Sequence, residues 1–285
     1  MTARSPGREA LARFGRNPAA VVGTVIFSAI LVLTVAGPWL YPVNPFEIVW
    51  APLTPPGDEF AKGLPLGTDY LGRDVLAGIV HGGRATLAVG GAAAFLTVSI
   101  GVGVGALAGF HGGWVDAALM RLTEFFQVLP PLLLAMVLVT LFSPSLGTIA
   151  VAIGVVSWPG VARLARGEFL RLKDLAFVEA ARAAGAYSGY LILRVILPNA
   201  LPPLIVAATL AVGVAILFEA GLSFLGLGDP NIMSWGLMIG ANRDYIRDGW
   251  WAVTFPGLAI FFTVLSVSLM GDGLNDAFNP RFRGR

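Results

Sequence analysis

The chain has 285 residues, of which 56% are hydrophobic and only 13% are charged, and its mean hydropathy is +0.78. Because an ordinary soluble domain is about a quarter charged, this composition argues against a soluble enzyme or a nucleic-acid-binding protein. The formal net charge of +2 does not by itself indicate a nucleic-acid partner. The absence of cysteine excludes disulfides, thiolate metal sites and cysteine nucleophiles. The composition therefore predicts an integral membrane protein.

Six apolar stretches are long enough, or nearly so, to cross a hydrocarbon core of about 30 Å, which takes roughly 20 helical residues. In chain order they are Ala19–Leu40, Ala85–Phe110, Phe125–Phe142, Ser143–Ala162, Val195–Phe218 and Gly249–Gly271. The third and fourth stretches are joined through a Ser-Pro-Ser turn, which predicts a tight hairpin. The sequence thus predicts an all-α polytopic membrane protein with six transmembrane helices in a single transmembrane domain, residues 1–285.

The first stretch also invites comparison with a secretory signal peptide, because it follows a basic segment and ends near the small residues Ala36 and Gly37. However, its apolar run is longer than the usual signal-peptide core of about 7–15 residues. Five more stretches follow it. We therefore interpret the first stretch as a retained helix.

The basic residues are unevenly divided between the segments that connect the six stretches. One set of segments holds Arg4, Arg8, Arg13, Arg16, Arg121, Arg163, Arg166, Arg171, Lys173, Arg182, Arg194, Arg281, Arg283 and Arg285, and the other holds Lys62, Arg73, Arg84, Arg243 and Arg247. Because cytoplasmic loops carry the excess of Lys and Arg, segments 1–18, 163–194 and 272–285 are predicted to be cytoplasmic, and 41–84 and 227–248 to be outer loops. Both termini are then cytoplasmic, in a multi-pass membrane protein.

Nucleotide-binding and hydrolytic motifs are absent. No G-x-x-x-x-G-K-[ST] phosphate loop and no G-x-S-x-G elbow occur, and the two histidines, His81 and His111, lie near span ends, where an interfacial position is expected. Neither a catalytic residue nor a metal site is predicted.

A formal G-x-G-x-x-A match, at Gly101, Gly103 and Ala106, lies inside an apolar stretch with no preceding strand. Spacing of four places Gly101, Gly105 and Gly109 on one helical face, which favours close helix packing instead.

Two carboxylates, Glu124 and Glu219, lie at membrane depth in the predicted third and fifth spans. Such groups are costly in a membrane and usually face a bundle interior or a water-filled path. One interpretation is that they line a translocation path or gate. The alternative is a structural carboxylate bonded to the backbone or, for Glu124, to Arg121.

The segment 179–198, EAARAAGAYSGYLILRVILP, joins the fourth and fifth stretches. Its Ala-rich start favours a short helix, Gly185 permits a sharp turn, and Pro198 begins or kinks the next membrane helix. The segment resembles the EAA signature of binding-protein-dependent ABC importer permeases, with Val195 where Ile is usual. The residues on the signature's spacing are Glu179, Ala180, Ala181, Gly185, Leu197 and Pro198. A purely structural amphipathic connector would have a similar composition.

A second motif precedes the second stretch. Residues 65–87, PLGTDYLGRDVLAGIVHGGRATL, are similar to a segment of dipeptide, oligopeptide and nickel importer permeases, where it marks the C-type subunit. The matching residues are Gly67, Thr68, Asp69, Leu71, Gly72, Arg73 and Asp74. Contact with solute or binding protein is one interpretation. The other is a turn-rich plug in which Asp69, Arg73 and Asp74 bond each other.

The resemblance implies the type I ABC importer permease fold and a role as half of the translocation path of an ATP-driven importer of peptides. It also implies a location in the bacterial plasma (inner) membrane. It implies a heterodimer with a B-type permease, two cytoplasmic ATPase chains that bind ATP and Mg²⁺, and an external substrate-binding protein, with the lipid bilayer around the spans and no nucleic acid. The chain itself would be no enzyme and hold no cofactor. Segment 163–194 would be the coupling loop, and alternating access would be driven through residues 179–184.

Two other functions are compatible with a polytopic protein. A stand-alone secondary transporter would show inverted repeats and midplane ionisable pairs, whereas no clear repeat is present and Glu124 and Glu219 are isolated. A non-transporting membrane component could use the same loop to dock a soluble partner.

Overall fold

The structure, a computed structural model, describes residues 12–59 and 63–278. Over these residues the chain is helical, with two isolated β-bridges between residues 48 and 73 and between residues 68 and 74 and no strand. The helices are α1 (Pro18–Leu40), α2 (Val75–His111), α3 (Gly113–Val128), α4 (Pro131–Phe142), α5 (Leu146–Leu172), α6 (Ala176–Ala183), α7 (Ser188–Leu227), α8 (Trp235–Asn242) and α9 (Trp251–Phe278).

Helix α2 lies at the centre of the bundle and packs against α1, α5 and α7. It runs parallel to α5 and antiparallel to α7, whose Ile216 contacts Gly90. Helix α9 packs against α1 and α7. One end of the bundle is covered by residues 41–59 and 63–74 and by α8, and we call it the loop end. The opposite end carries α3 and α6, and we call it the α6 end.

The contact between α2 and α5 depends on the three glycines spaced four apart. A Cβ on Gly101 would lie 2.6 Å from the Cβ of Val161, and one on Gly109 would lie 2.7 Å from the Cβ of Phe169. A Cβ on Gly105 would lie even closer to the α5 backbone. The prediction that this glycine face packs helices together is confirmed, because only glycine allows the two backbones to approach this closely.

The third predicted span, Phe125–Phe142, is divided between two helices. The structure has two helices there, α3 and α4, bent by 87° at the break between them. The bend follows from Pro130 and Pro131, because proline has no N–H to donate and forces the preceding Leu129 into an extended conformation. Five described helices are long and apolar enough to cross a membrane, or up to six if the bent pair is one span. The all-α class is confirmed.

The other helices extend beyond the predicted apolar stretches. Helix α2 begins ten residues before Ala85, because the Asp74 carboxylate caps its first turn by accepting hydrogen bonds from the N–H groups of Leu76 and Ala77. Helix α5 continues to Leu172, and α7 begins at Ser188. Helical hydrogen bonding continues through charged residues, whereas the predicted boundaries followed the charge-free runs. Residues 75–84 of the predicted outer loop and most of segment 163–194 are consequently helical.

Candidate functional site

Helix α6 is a short amphipathic helix held to the bundle by one face. Val178 is fully buried in a cluster with Phe169 of α5 and Leu191 and Ile196 of α7. Ala181 is partly buried against the same cluster. An isolated helix of eight residues is marginal in water, so this apolar contact is what fixes α6 in place.

The C-terminus of α6 is closed by Gly185, which has a φ of +89°. The N–H of Ala186 donates to the carbonyl of Ala181 (3.1 Å), and the N–H of Gly185 donates to that of Arg182 (3.0 Å). These two bonds form a Schellman motif, which glycine favours because its missing Cβ removes the cost of a left-handed backbone. The predicted sharp turn at Gly185 is confirmed.

The remaining face of α6 is exposed. Glu179 and Ala180 of the EAA signature lie on it, beside Arg182. Large apolar side chains within the same stretch of chain are also exposed, namely Phe177, Tyr187, Tyr190 and Leu193. Exposed small residues together with exposed aromatic side chains are features of a protein-binding surface.

Leu197 and Pro198 lie not on α6 but at the start of the α-helical part of α7, directly after a π-helical turn at Leu191–Ile196. Proline is accommodated near the N-terminus of this helical part because its N–H is not required there. The six signature residues therefore form two groups, which the buried cluster around Val178 joins.

A groove of about 230 Å³ lies between α2, α5 and α7. Its wall is made of small or apolar side chains with two hydroxyl groups, Thr97 and Ser157, and it includes Gly160, Ala207 and Ala211. The Oγ of Ser157 is buried and has no hydrogen-bond partner. Neither Glu124 nor Glu219 lines this groove.

Glu124 lies on α3, with its side chain 61% exposed. Its Oε2 accepts a hydrogen bond from Arg121 at 3.3 Å, one turn earlier on the same helix. The structure therefore contains the Arg121 contact that the structural interpretation of Glu124 requires. A role in a path stays a prediction.

Glu219 is 1% exposed and lies inside the chain near the loop end. Its Oε1 accepts a hydrogen bond from the Ser223 hydroxyl at 2.8 Å, and the hydroxyls of Thr86 on α2 and Ser234 beside α8 are its other polar neighbours. The carboxylate thus lies where α2, α7 and α8 meet. This geometry fits a structural carboxylate, and a gating role for Glu219 stays a prediction.

The outer-loop motif folds into a set of tight turns at the loop end. Gly67 and Gly72 have φ values of +72° and +82°, and a Cβ on either would collide with a backbone carbonyl. The Thr68 hydroxyl bonds an earlier part of the same segment, since it donates to the carbonyl of Ala51 at 2.7 Å. The indole N–H of Trp251 on α9 donates to the Thr68 carbonyl at 2.9 Å. These turns anchor segment 41–74 to the helix bundle.

Of the three residues expected to bond each other in a turn-rich plug, Asp69 and Arg73 do so, since the Asp69 N–H donates to the Arg73 carbonyl at 2.9 Å, whereas the Asp74 carboxylate bonds neither of them. Asp69 Oδ1 accepts from the backbone N–H groups of Leu71 and Arg73, both at 2.8 Å. Asp74 caps α2, as described above, and also accepts from the Tyr41 hydroxyl. The Arg73 guanidinium instead lies over the Phe46 ring, 5.4 Å from its centroid, and its Nε is buried without a hydrogen-bond partner.

Two titratable groups of this turn region have shifted pKa values. Burial raises the pKa of Asp69 above its ordinary value, although its backbone hydrogen bonds and Arg73 oppose the shift. Burial and the adjacent Asp74 carboxylate raise the pKa of Tyr41 to about 12. Both groups are part of the packing of the loop end.

One ion pair between helices was not predicted from the sequence. Arg166 of α5 donates to both carboxylate oxygens of Asp116 on α3, with Nη2 2.6 Å from Oδ2. The two residues are 50 positions apart, and no motif or periodicity links them, so only the packing of α3 beside α5 brings them together.

The two histidines lie at opposite ends of α2. His81 Nε2 is 3.3 Å from the carbonyl of Tyr41, and His111 Nδ1 is 3.1 Å from that of Leu107. In the described ranges, 12–59 and 63–278, no group of three or more His, Asp or Glu residues could hold a metal ion.

Comparison with known families gives two matches. The family described as "Binding-protein-dependent transport system inner membrane component" matches residues 101–284, which is more than half of the chain. The "N-terminal TM domain of oligopeptide transport permease C" matches residues 5–56.

Curated relatives match along nearly the whole chain. The di/tripeptide transport system permease protein DppC of Pseudomonas aeruginosa is 38% identical over 98% of this chain and 93% of its own length. The oligopeptide transport system permease protein OppC of Haemophilus influenzae is 39% identical over 98% of this chain and 90% of its own length.

Among solved structures, the chain is similar to the MetNI methionine ABC transporter in an inward-facing conformation. The TM-score is 0.59 at 22% sequence identity, and the match covers 71% of this chain and 97% of that one. At this identity the similarity shows the fold, which is that of an ABC importer permease. The chain is therefore a multi-pass membrane permease and belongs to the family of binding-protein-dependent transport system inner membrane components, as its motifs predicted.

Proposed function

We propose that this chain is the C-type permease of an ATP-driven peptide importer and forms half of its translocation path. The observation that carries the proposal is the exposed face of α6, which presents Glu179 and Ala180 in a stretch of chain that also exposes Phe177, Tyr187 and Tyr190. The curated relatives are named as permeases for dipeptides, tripeptides and oligopeptides, and this supports peptides as the solute class.

The distribution of basic residues supports a cytoplasmic α6 end. Among the described residues, the arginines predicted to be cytoplasmic include Arg121 on α3, Arg163, Arg166 and Arg171 on α5, and Arg182 on α6. The loop end carries Arg73, Arg84, Arg243 and Arg247. By the positive-inside rule, α6 faces the cytoplasm and the loop end faces outward. Both chain termini are then cytoplasmic, as proposed from the sequence.

In this orientation α6 binds a cytoplasmic ATPase chain. Two such chains would bind ATP and Mg²⁺, a B-type permease would complete the path, and an external binding protein would deliver solute at the loop end. Closure of the ATPases displaces α6, and α6 moves α5 and α7 through the cluster around Val178. The spans then open alternately to the two sides of the membrane.

The groove between α2, α5 and α7 is the best candidate for this chain's wall of the path. Its lining contains no charged side chain and consists mainly of Ala, Val and Leu, with Thr97 and Ser157 as its hydroxyl-bearing residues. Such a wall accommodates solutes with different side chains. Selection of the solute then rests mainly on the binding protein.

The test begins with mass spectrometry of what co-purifies with the tagged chain in mild detergent. The purified complex is then reconstituted into vesicles with its binding protein, and ATP-dependent uptake of a mixture of di- to pentapeptides is measured. We expect a second permease and ATPase chains to co-purify, and uptake to require ATP. A chain that purifies folded and alone, or that takes up peptide on an ion gradient without ATP, would refute the proposal.

The exposed face of α6 is tested separately with Ala180→Arg, and Ala118→Arg on the exposed face of α3 provides the matched control. We expect Ala180→Arg to abolish co-purification of the ATPase chains while the permease pair still assembles. Equal retention of the ATPases by both variants would exclude α6 as their binding site.

A further inference from the structure

Helix α3 is the most weakly held of the long described helices. Thr123 is its only buried residue, and large side chains such as Trp114 and Val128 are more than 80% exposed. Its lateral contacts to α5 include the edge-to-face pair Phe126–Trp158, with ring centroids 5.4 Å apart. A helix with so little burial needs another connection to move together with its neighbours.

That connection is the ion pair between Asp116 and Arg166. The Arg166 guanidinium donates through both Nε and Nη2 to the two oxygens of one carboxylate. Such a bidentate pair fixes direction as well as distance. The side chains are only 35% and 17% exposed for Arg166 and Asp116, so solvent screens the pair less than an ordinary surface ion pair. Lys173 adds a second positive charge near Asp116.

Arg166 is also continuous with the support of α6. It lies one helical turn before Phe169, which is fully buried and packs in the same cluster as Val178 of α6. The carbonyl of Arg166 lies against Gly109 of α2, where a Cβ would be only 2.7 Å away. The chain of contacts therefore runs from α6 through Phe169 and Arg166 to Asp116 at the first turn of α3.

We propose that Asp116 and Arg166 are a positioning pair that makes α3, and through it the bent helix α4, follow the movement of α5 and α6. This inference rests on the proposed function, in which α6 is displaced by the ATPases. Neither residue lines the groove between α2, α5 and α7. Loss of the pair lets α6 and α5 move while α3 stays behind, so ATP is hydrolysed with less solute transported.

The experiment uses the complete importer complex in vesicles. Because the chain has no cysteine, spin labels can be placed at Ala118 on α3 and Ala183 on α6, both exposed, without a background label on this chain, and the partner chains are used in cysteine-free form. The distance between the labels is measured by pulsed electron paramagnetic resonance with and without ATP, Mg²⁺ and vanadate. Peptide taken up per ATP hydrolysed is measured on the same complexes without labels.

The variants are Asp116→Arg, Arg166→Asp and the double exchange of both. The matched control exchanges Glu168 and Arg171, an ion pair at 2.6 Å that lies within α5 and joins no second helix. Asp116→Asn removes the charge while keeping the side-chain volume, and it replaces Asp116→Arg in the experiment if the reversed charge prevents assembly of the complex.

We expect each single charge reversal to broaden the distribution of distances between the two labels. We also expect it to lower peptide uptake per ATP hydrolysed about tenfold, within the usual range of coupling between sites. The double exchange of Asp116 and Arg166 restores most of the narrow distance distribution and of the uptake per ATP, and the control exchange of Glu168 and Arg171 changes neither readout. A narrow distance distribution and normal uptake per ATP in Asp116→Arg or Asp116→Asn would overturn the inference. Failure of the unaltered complex to use ATP for uptake would instead overturn the proposed function, which separates the two results.

Discussion

The turn after α6 provides a prediction whose magnitude follows from the structure. Gly185 has a φ of +89°, yet a Cβ built on it meets nothing within 4 Å. The cost of a larger residue is therefore conformational rather than steric. A left-handed backbone costs an L-residue about 1–2 kcal/mol, whereas Asn tolerates this conformation. Gly185→Val is the perturbation, and Gly185→Asn is its matched control.

This conformational cost destabilises helix α6 and its C-terminal turn rather than the whole fold. Helix α6 has eight residues and is held mainly through Val178, so it can open without the bundle unfolding. A loss of about 1–2 kcal/mol raises the open fraction by a factor of about 5–30. The amides of Ala184, Gly185 and Ala186, which form the terminal hydrogen bonds, would lose protection by that factor.

The assay is hydrogen–deuterium exchange of the peptide that covers these amides, measured on the purified chain in detergent. Co-purification of the ATPase chains is followed in the same preparations. We expect faster exchange and weaker ATPase retention in Gly185→Val, with Gly185→Asn close to the unaltered chain. Equal exchange in the two variants would refute the reasoning that the left-handed backbone at Gly185 stabilises the end of α6.

Three further predictions concern the bundle and the loop end. Gly105→Leu should prevent stable folding because it forces α2 away from α5, whereas Gly103→Leu, which faces open space, should leave the melting temperature in detergent nearly unchanged. Burial raises the pKa of Asp69, so its contribution to stability is present below its unfolded-state pKa of about 4 and is lost as pH rises through the raised value. Melting curves from pH 4 upward should therefore show Asp69→Asn gaining stability relative to the unaltered chain as pH increases. Glu219→Gln should melt at a higher temperature than Glu219→Leu, because only Gln retains an acceptor for the buried Ser223 hydroxyl.

Each of these has a contradicting result. Similar melting temperatures for the two glycine variants would mean that the α2–α5 contact is looser than the structure shows. A pH-independent difference for Asp69→Asn would mean that its carboxyl titrates normally. A Glu219→Leu variant as stable as Glu219→Gln would show that the Ser223 bond contributes nothing.

Local chemistry was enough to predict α6 and its end. The Ala-rich segment favours a helix whatever surrounds it, and Gly185 ends that helix because of its own backbone freedom, without a neighbour that requires it. Likewise, the spacing of Gly101, Gly105 and Gly109 marks a packing face on any helix. The family could be identified for the same reason, since its motifs consist of residues adjacent in the chain.

Several features could be decided only by the tertiary structure. The pairing of Asp116 with Arg166 depends on the lateral position of α3 beside α5, and the neighbours of Glu219 come from three separate elements. The angle between α3 and α4 follows locally from two prolines, but apolar length alone made the pair look like one span. What the sequence determined by itself was therefore the composition of each helix, the chemistry of its ends and the family motifs. Which side chains meet across helices was decided by packing, because such contacts depend on the relative placement of segments that are far apart in the chain.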